Sequence, residues 1–469
     1  MNSKYKILAS NTAIFAIGNI LVKLIAFFLM PLYTSVLTTA QYGVAELLNN
    51  TIEIVLPLAS LCIVEALYRF SIDEDANHSA LLVNSLCIML IGDIVVGIGS
   101  FVWFYVVGYD YALHFLLLFV ATSFYKVTTQ FARGLGHVKR YALYGVLNSL
   151  LLVFSNIILL VWFKGGIAAY LTSFSIGYGV SGLIAFIISK EFKHFGFRQF
   201  DRALLEEMLK YSIPSIPNML SWWVNSLSDR YIVLFFWGSG ITGLYTAASK
   251  LPAMINLVTS IFQQAWQYST AIEINSKDNK SFFSNILRGY TYVCVLVCGG
   301  LLIVNKLLCM ILLRADFYDA WKYVPLLLLA ATFGCITTYF GTFYNALKSN
   351  KMLMISTLIG AVSNVVLNFI LIPVLGGIGA AIATVVSYFV VMIIRIVNVR
   401  RLIEIDLNKT KFIFQLSLLT LSAIMACLSG AIPIIITVLS FAALVISDYR
   451  LLFTLGKYLQ KKRENCKHV

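Results

Sequence analysis

Long apolar stretches separated by short polar turns make up almost all of this 469-residue chain. Each stretch is roughly 20 residues long, the length that a helix needs to cross the hydrocarbon core of a bilayer. The pattern therefore predicts an all-α integral membrane protein with about fourteen transmembrane helices. The predicted spans cover residues 11–33, 44–66, 80–106, 112–134, 141–163, 167–189, 211–237, 243–270, 282–304, 321–347, 352–375, 378–399, 412–428 and 431–452.

The basic residues fall on alternate turns between these stretches. With the N-terminus placed in the cytoplasm, 28 of the 35 Lys and Arg residues lie at cytoplasmic ends, four lie in outward loops and three (Lys23, Arg230 and Lys250) lie inside spans. Lys126 and Arg395 fall within predicted spans but are counted with their cytoplasmic ends. Cytoplasmic loops of membrane proteins carry such an excess. We therefore expect both termini in the cytoplasm, and we interpret the net charge of +14 as a topology signal rather than a nucleic-acid footprint.

The composition agrees with this class. Hydrophobic residues make up 60% of the chain and charged residues 12%, against about 25% charged in soluble proteins. The polar loops are too short to fold into a separate soluble domain, so we expect a protein that is not an enzyme. The eight cysteines and five histidines show no metal-ligand spacing, and we predict neither a metal site nor a disulfide.

The chain resembles itself at a shift of about 200 residues. Tyr42-Gly43 opens the second span as Gly243-Leu244 opens the eighth, and at a shift of 212 Asn156 meets Asn368. The shift spans six helices, so both copies share one orientation, as in transporters built from parallel repeats. We predict an N-terminal six-helix lobe (1–190), a cytoplasmic amphipathic linker (191–210), a C-terminal six-helix lobe (211–402), and two additional helices with a basic tail (403–469).

Three signatures along the chain resemble the polysaccharide-exporter (Wzx-type) branch of the multidrug/oligosaccharidyl-lipid/polysaccharide flippase superfamily. They are residues 210–218, Asp229-Arg230 followed by 243–245, and residues 364–368 followed by 371–373, 376–381 and Thr384. The resemblance covers essentially the whole chain. It implies two pseudo-symmetric lobes, like those of multidrug exporters, that alternate in access.

The resemblance also implies a function. Members of this branch flip undecaprenyl-diphosphate-linked oligosaccharides from the inner to the outer leaflet of the bacterial cytoplasmic membrane, for cell-surface polysaccharide biosynthesis. The expected partners are this lipid-linked glycan, membrane lipids and polysaccharide polymerase or glycosyltransferase machinery. We expect a monomer without a cofactor, coupled to an H⁺ or Na⁺ gradient or to the membrane potential.

Charged residues lie inside several spans, where each costs at least about 2.5 kcal/mol and should be paired or functional. Counting depth along the helices places one acid and one base at matched depth in three hairpins. The pairs are Lys23 with Glu53, Asp93 with Lys126, and Asp229 with Lys250. Two interpretations stay open: these are structural pairs that neutralise buried charge, or they face a water-filled cavity and exchange partners during transport.

The seventh span carries the strongest candidate. Arg230 is a planar, permanently charged donor suited to bidentate contacts with phosphate. Trp222, Asn225 and Asp229 follow one face of the same helix, which suits either a sugar or a helix–helix contact. At the inner end of the second span, Glu65 and Arg69 form either a local salt bridge or an inner gate.

Two functions from the same superfamily compete. The candidate bases are Lys23, Lys126, Arg230 and Lys250, against the acids Glu53, Asp93 and Asp229. This slight positive excess favours an anionic, diphosphate-linked substrate. The alternative, a cation-coupled exporter of small molecules, would favour an acid-rich cavity.

Overall fold

The computed structural model describes residues 22, 24–25, 27–73, 75–189, 199–274, 279–347 and 350–449, and within them the fold is entirely helical. Seventeen helices follow one another in this part of the chain. In chain order they are α1 (Met30–Val36), α2 (Thr39–Ala59), α3 (Ile63–Phe70), α4 (His78–Val107), α5 (Ala112–Gly134), α6 (Val138–Asn156), α7 (Gly166–Ile188), α8 (Arg202–Ser212), α9 (Ile216–Lys250), α10 (Ala253–Glu273), α11 (Asn279–Ile303), α12 (Asn305–Leu312), α13 (Val324–Ala346), α14 (Asn350–Leu375), α15 (Gly377–Leu402), α16 (Lys409–Ala426) and α17 (Ala431–Ser447).

Nine helices of the described part are long and apolar enough to cross a membrane, and the bent pair α2–α3 raises this number to ten. The chain is thus a multi-pass membrane protein. The predicted number of about fourteen spans stays a prediction, because most of the first span lies outside the described residues. At the other end, α17 has 17 residues and is shorter than a full span.

The second predicted span is not one straight helix. The axes of α2 and α3 meet at 68°. Leu61 and Cys62, at the break, both have positive φ angles of 50° and 54°, a conformation that costs non-glycine residues energy. Pro57 lies inside the last turns of α2, where its ring disfavours a continuous helix. The break turns α3, with Glu65 and Arg69, away from the α2 axis.

The chain forms two compact units. Unit 1 comprises Met1–Leu234 and Gly238–Gly243, and unit 2 comprises Phe235–Trp237 and Leu244–Val469. The division thus falls within α9, later in the chain than the predicted linker. That linker contributes α8, which starts at the N-cap Asp201. The backbone of Asp201 bonds Asn84 of α4 through its N–H and its carbonyl, which fixes α8 to unit 1.

Two repeat-related glycines meet inside unit 1. A Cβ atom added to Gly243 would overlap the carbonyl oxygen of Thr39, and one added to Gly43 would overlap the carbonyl oxygen of Ser239. The start of α2 and the segment 238–243 therefore pack backbone against backbone. Only glycine permits this approach, which gives the repeated Tyr-Gly and Gly-Leu signatures a packing role.

Candidate functional site

Among the described residues of unit 1, the most deeply buried acid is Glu46 of α2, whose exposure is 3%. Tyr42 Oη and Tyr170 Oη donate hydrogen bonds to Glu46 Oε1 at 3.2 and 2.8 Å. Tyr33 joins this group, with its ring centroid 5.0 Å from that of Tyr170. Asn156 Nδ2 donates to Tyr33 Oη at 3.2 Å. A carboxyl group is thus held by phenol hydroxyls in the interior of a membrane unit.

This group was missed by the sequence analysis, which placed Glu46 only two residues inside the predicted second span. The helix begins five residues earlier, at Thr39, because Thr38 and Gln41 form a capping box. Glu46 therefore lies two turns inside the helix. The capping box and the spacing of Tyr42 to Glu46, one turn apart, are the two sequence signals that could have revealed it.

Glu46 is the first residue of a polar stripe along α2. Asn50 and Glu53 follow it at steps of four and three residues, which places all three on one helix face. The first part of α9 packs along this face. Trp223 Nε1 donates to the Asn50 carbonyl at 3.3 Å, and Tyr231 Oη donates to the Leu47 carbonyl at 3.2 Å. Unit 1 therefore has a polar seam between α2 and α9.

A second group of charges lies on the accessible surface of the same unit. Glu53 of α2, Glu65 of α3 and Lys126 of α5 are all exposed although their helices are apolar. The Lys126 ammonium interacts electrostatically with both carboxylates. Such charges inside apolar helices are expected to face protein or water rather than lipid. They form an accessible charged surface inside unit 1.

Arg230 of α9 is half-buried beside this seam. Its guanidinium interacts electrostatically with Tyr42 and with Tyr231. The preceding Asp229 accepts a hydrogen bond from the Arg230 backbone N–H at 2.9 Å. Arg230 is thereby placed near both the Glu46 group and the start of the charged surface.

Several predicted partners differ from those in the structure. Asp93 accepts hydrogen bonds from Ser123 Oγ at 2.9 and 3.2 Å, whereas Lys126 interacts with Glu53 and Glu65. Arg69 pairs with Asp73, four residues further along the chain, at 2.8 Å rather than with Glu65.

Other predicted site residues cannot be compared with the structure. Lys23 lies outside the described residues, and the side chains of Trp222 and Asn225 are likewise not described. Asp229 belongs to unit 1 and the half-buried Lys250 to unit 2, and their pairing stays a prediction. The described residues hold no group of three or more His, Cys, Asp or Glu side chains that could bind a metal ion.

The interior of unit 2 carries a pair of asparagines and a buried arginine. Asn368 Nδ2 donates to Asn364 Oδ1 at 2.9 Å, and both residues are buried. Arg395 of α15 is 7% exposed. Its guanidinium donates to Ser356 Oγ, the Thr337 carbonyl and Thr357 Oγ1 at 2.9–3.1 Å. Sequence analysis had assigned Arg395 to a cytoplasmic end.

Known proteins resemble this chain in sequence or in fold. A sequence model of the family described as "Polysaccharide biosynthesis protein" matches residues 8–267. No curated sequence matches the chain. Among solved structures, the lipid II flippase MurJ in an inward closed conformation is 16% identical, with a TM-score of 0.69, and the match covers 94% of this chain and 99% of that one.

Two transporters of the superfamily predicted from the signatures also match. An inward-facing multidrug resistance MATE family transporter of the MOP superfamily is 15% identical, with a TM-score of 0.61 and coverage of 82% of this chain and 94% of that one. A MOP superfamily transporter from Pyrococcus furiosus is 14% identical, with a TM-score of 0.57 and coverage of 84% and 96%. The chain has the fold of these flippases and transporters, and it belongs to the polysaccharide biosynthesis protein family.

Proposed function

We propose that this protein flips undecaprenyl-diphosphate-linked oligosaccharide repeat units from the inner to the outer leaflet of the bacterial cytoplasmic membrane, by alternating access. The observation that carries the proposal is the presence of two cations on apolar helices of unit 1, Arg230 beside the α2–α9 seam and Lys126 on the accessible charged surface. A diphosphate with a polar glycan needs cationic and hydrogen-bonding groups at membrane depth. The family membership supports the same substrate class.

Within this proposal, Arg230 and Lys126 are the described cations that receive the diphosphate in passage. Arg230 supplies a planar donor fork that matches phosphate oxygens, whereas Lys126 supplies a compact charge. Lys23 and Lys250 are the further predicted cations. The tyrosines and Trp223 of the α2–α9 seam offer the flat, partly polar surfaces on which sugars pack.

The polar stripe Glu46, Asn50 and Glu53 favours a second candidate, cation-coupled export of small molecules. Two acids and an amide on one face of α2 suit an organic cation or a coupling ion better than they suit a diphosphate. The two functions make opposite demands on the same unit: flipping needs the bases, whereas drug export needs the acids.

A transport assay in proteoliposomes separates these two functions. The purified full chain is tested with a fluorescent diphosphate-linked lipid oligosaccharide and, in parallel, with a cationic dye. We expect the lipid-linked sugar to cross and the dye to stay. Repeating the assay with an imposed H⁺ gradient, a Na⁺ gradient or a potential alone identifies the driving force. Dye movement without flipping of the lipid-linked sugar would replace the flippase by the exporter.

The direction of flipping depends on the predicted orientation. A cysteine placed within 238–241 should react with a membrane-impermeant label added from outside intact cells, and one placed within 276–280 only after the cytoplasmic side is opened. The basis is the bias of 28 cytoplasmic Lys and Arg residues to four outward ones. The reverse labelling would place the charged ends outside and contradict the orientation.

A further inference from the structure

In unit 2, one buried carboxylate binds two cationic side chains at the point where α11, α16 and α17 meet. Asp448, directly after α17, is 3% exposed. Arg288 of α11 donates from Nε to Asp448 Oδ2 at 2.6 Å and from a terminal nitrogen to Oδ1. The Lys411 ammonium of α16 lies 2.7 Å from Asp448 Oδ2. The carboxylate therefore fixes the positions of both cations.

A cavity of about 310 Å³ opens beside this trio, between the N-terminal half of α11 and the first turns of α16. This volume is at the lower end of the range of ligand sites, about 300–1,000 Å³. Arg288, Thr291, Asp406 and Lys411 are among its lining residues. The cavity is thus polar, although α11 is a membrane-spanning helix.

The buried hydroxyl of Thr291 indicates that this cavity binds a ligand. It is 2% exposed, lines the cavity, and its hydroxyl makes no hydrogen bond to any described residue. Most threonines in helices bond the carbonyl one turn before, as Thr420 bonds Leu416 in α16. A buried hydroxyl without an acceptor or donor costs about 1–3 kcal/mol, so such groups usually have a partner.

The charged groups around the cavity indicate which kind of ligand it would bind. The bonds to Asp448 use two of the five N–H donors of Arg288 and one of the three of Lys411, which leaves donors on both for another acceptor. The cavity also includes the N-terminus of α16, where backbone N–H groups favour an anion. Asp448 and the lining Asp406 offset the two cations, so a single negative charge fits better than two.

The surroundings indicate how such an anion would arrive. Ile413 of α16 and Ile446 of α17, near the cavity in the chain, are 62% and 68% exposed. Large apolar side chains on a membrane protein mark the surface that faces lipid. Asp406 and Asn408, before α16, and Lys411, in its first turn, place one end of the cavity at the end of the helices, where an anion arrives from the headgroup region of a leaflet.

We propose that this cavity binds the phosphodiester of a phospholipid headgroup, with Arg288 and Lys411 on the phosphate oxygens and the Thr291 hydroxyl as a further donor. The positive-inside bias assigns this end of α11 to the cytoplasmic leaflet. The site lies in unit 2, apart from the charged surface to which flipping is attributed, and a bound lipid would join α11, α16 and α17.

The test uses the full-length protein purified in detergent and titrated with phosphatidylglycerol, with bound lipid counted by native mass spectrometry. The variants are Thr291→Val, Arg288→Gln and, as a matched control, Arg202→Gln, which removes an exposed arginine paired with Glu206 in unit 1. We expect about tenfold weaker binding for Arg288→Gln and about threefold for Thr291→Val, as for lost charged and neutral hydrogen bonds. Arg202→Gln should bind as the wild type does.

Arg288→Gln leaves the buried Asp448 without its arginine partner, and this variant could fail to fold for that reason alone. Thr291→Val tests the proposal in that case. Valine preserves the volume and removes only a hydroxyl that has no partner among the described residues, so the delipidated variant should be as stable as the wild type. Diacylglycerol, which lacks the phosphate, should not bind. Displacement of phosphatidylglycerol by inorganic phosphate would assign the cavity to a free anion and overturn the lipid source. Wild-type lipid binding by Thr291→Val would remove the cavity from lipid recognition.

Discussion

Unit 1 holds a carboxyl group in its interior with phenol hydroxyls, whereas unit 2 holds a guanidinium with neutral oxygens. Glu46 accepts hydrogen bonds from Tyr42 and Tyr170, and Arg395 donates to Ser356, Thr337 and Thr357. Unit 1 adds the accessible charges Glu53, Glu65 and Lys126 on apolar helices. The two halves of one repeated pattern thus carry different chemistry.

The repeat-related asparagines show the same divergence. Asn156 donates to Tyr33 and so joins the Glu46 group, whereas Asn368 donates to Asn364 within α14. Where unit 1 has the exposed Glu65, the repeat places Ala265 beside Trp266, whose ring stacks on Tyr339 at 4.6 Å. Under the proposed function, the accessible charges of unit 1 belong to the transport path, whereas the buried groups of unit 2 form a polar and aromatic framework.

The largest expected effect concerns the repeated glycines. Gly243→Ala should cost about 3 kcal/mol or more, because the new methyl group overlaps the Thr39 carbonyl and backbone must move. Thermal unfolding in detergent and membrane abundance measure the loss. Gly240→Ala is the control, since its Cβ would meet its nearest neighbour at an ordinary 3.8 Å. Equal stability of the two variants would contradict the backbone-to-backbone packing in unit 1.

Removing the buried acid of unit 1 should have the next largest effect. Glu46→Ala leaves the Tyr42 and Tyr170 hydroxyls without their acceptor and should cost about 2 kcal/mol. Glu46→Gln retains a carbonyl acceptor of the same size and should lose less. Chemical unfolding of the purified variants gives both numbers. An alanine variant as stable as the wild type would show that the hydroxyls have other partners.

Replacing Asp448, the buried carboxylate of unit 2, should have a smaller effect on stability, and this effect should depend on pH. Burial in itself raises the pKa of Asp448, but hydrogen bonds from Arg288 and Lys411 outweigh it and hold the pKa below its ordinary value of 3.8. Its contribution to stability is therefore fully present above pH 3.8 and is lost as the pH falls through the lower, folded-state pKa. Asp448→Asn should unfold at a lower temperature than the wild type at pH 7, and the difference should shrink below pH 3.8. A difference independent of pH would exclude the ion pairs as its cause.

The helical, multi-pass architecture was predictable because the lengths and apolarity of the spans are direct consequences of the bilayer. The signatures around residues 210–218 and 364–368 likewise indicated a polysaccharide-exporter family, and the match to the polysaccharide biosynthesis protein family agrees with that prediction. The contact partners of individual side chains were harder to predict from the sequence. A count of depth treats each span as a straight rod, and the break at Leu61–Cys62 and the early start at Thr39 both violate that assumption.

The two buried charges that sequence analysis missed, Glu46 and Arg395, were missed for a physical reason. Glu46 and Arg395 sit near predicted span ends, where a charge costs little and attracts no attention. Each is nevertheless buried by neighbours from other helices: Tyr170 of α7 for Glu46, and Ser356 and Thr357 of α14 for Arg395. Contacts of this kind join residues more than a hundred, or about forty, positions apart, and no local pattern encodes them.

The central claim is that the charges of unit 1 carry the diphosphate, and Arg230 tests it most directly. The measurement is the outer-leaflet appearance of lipid-linked glycan in membranes with matched protein levels. The account predicts that Arg230→Ala abolishes export at normal abundance and that Arg230→Lys restores little, because lysine lacks the planar donor fork. Lys306→Gln, which removes a half-buried cation of unit 2, should export normally. Wild-type export by Arg230→Ala would contradict the account.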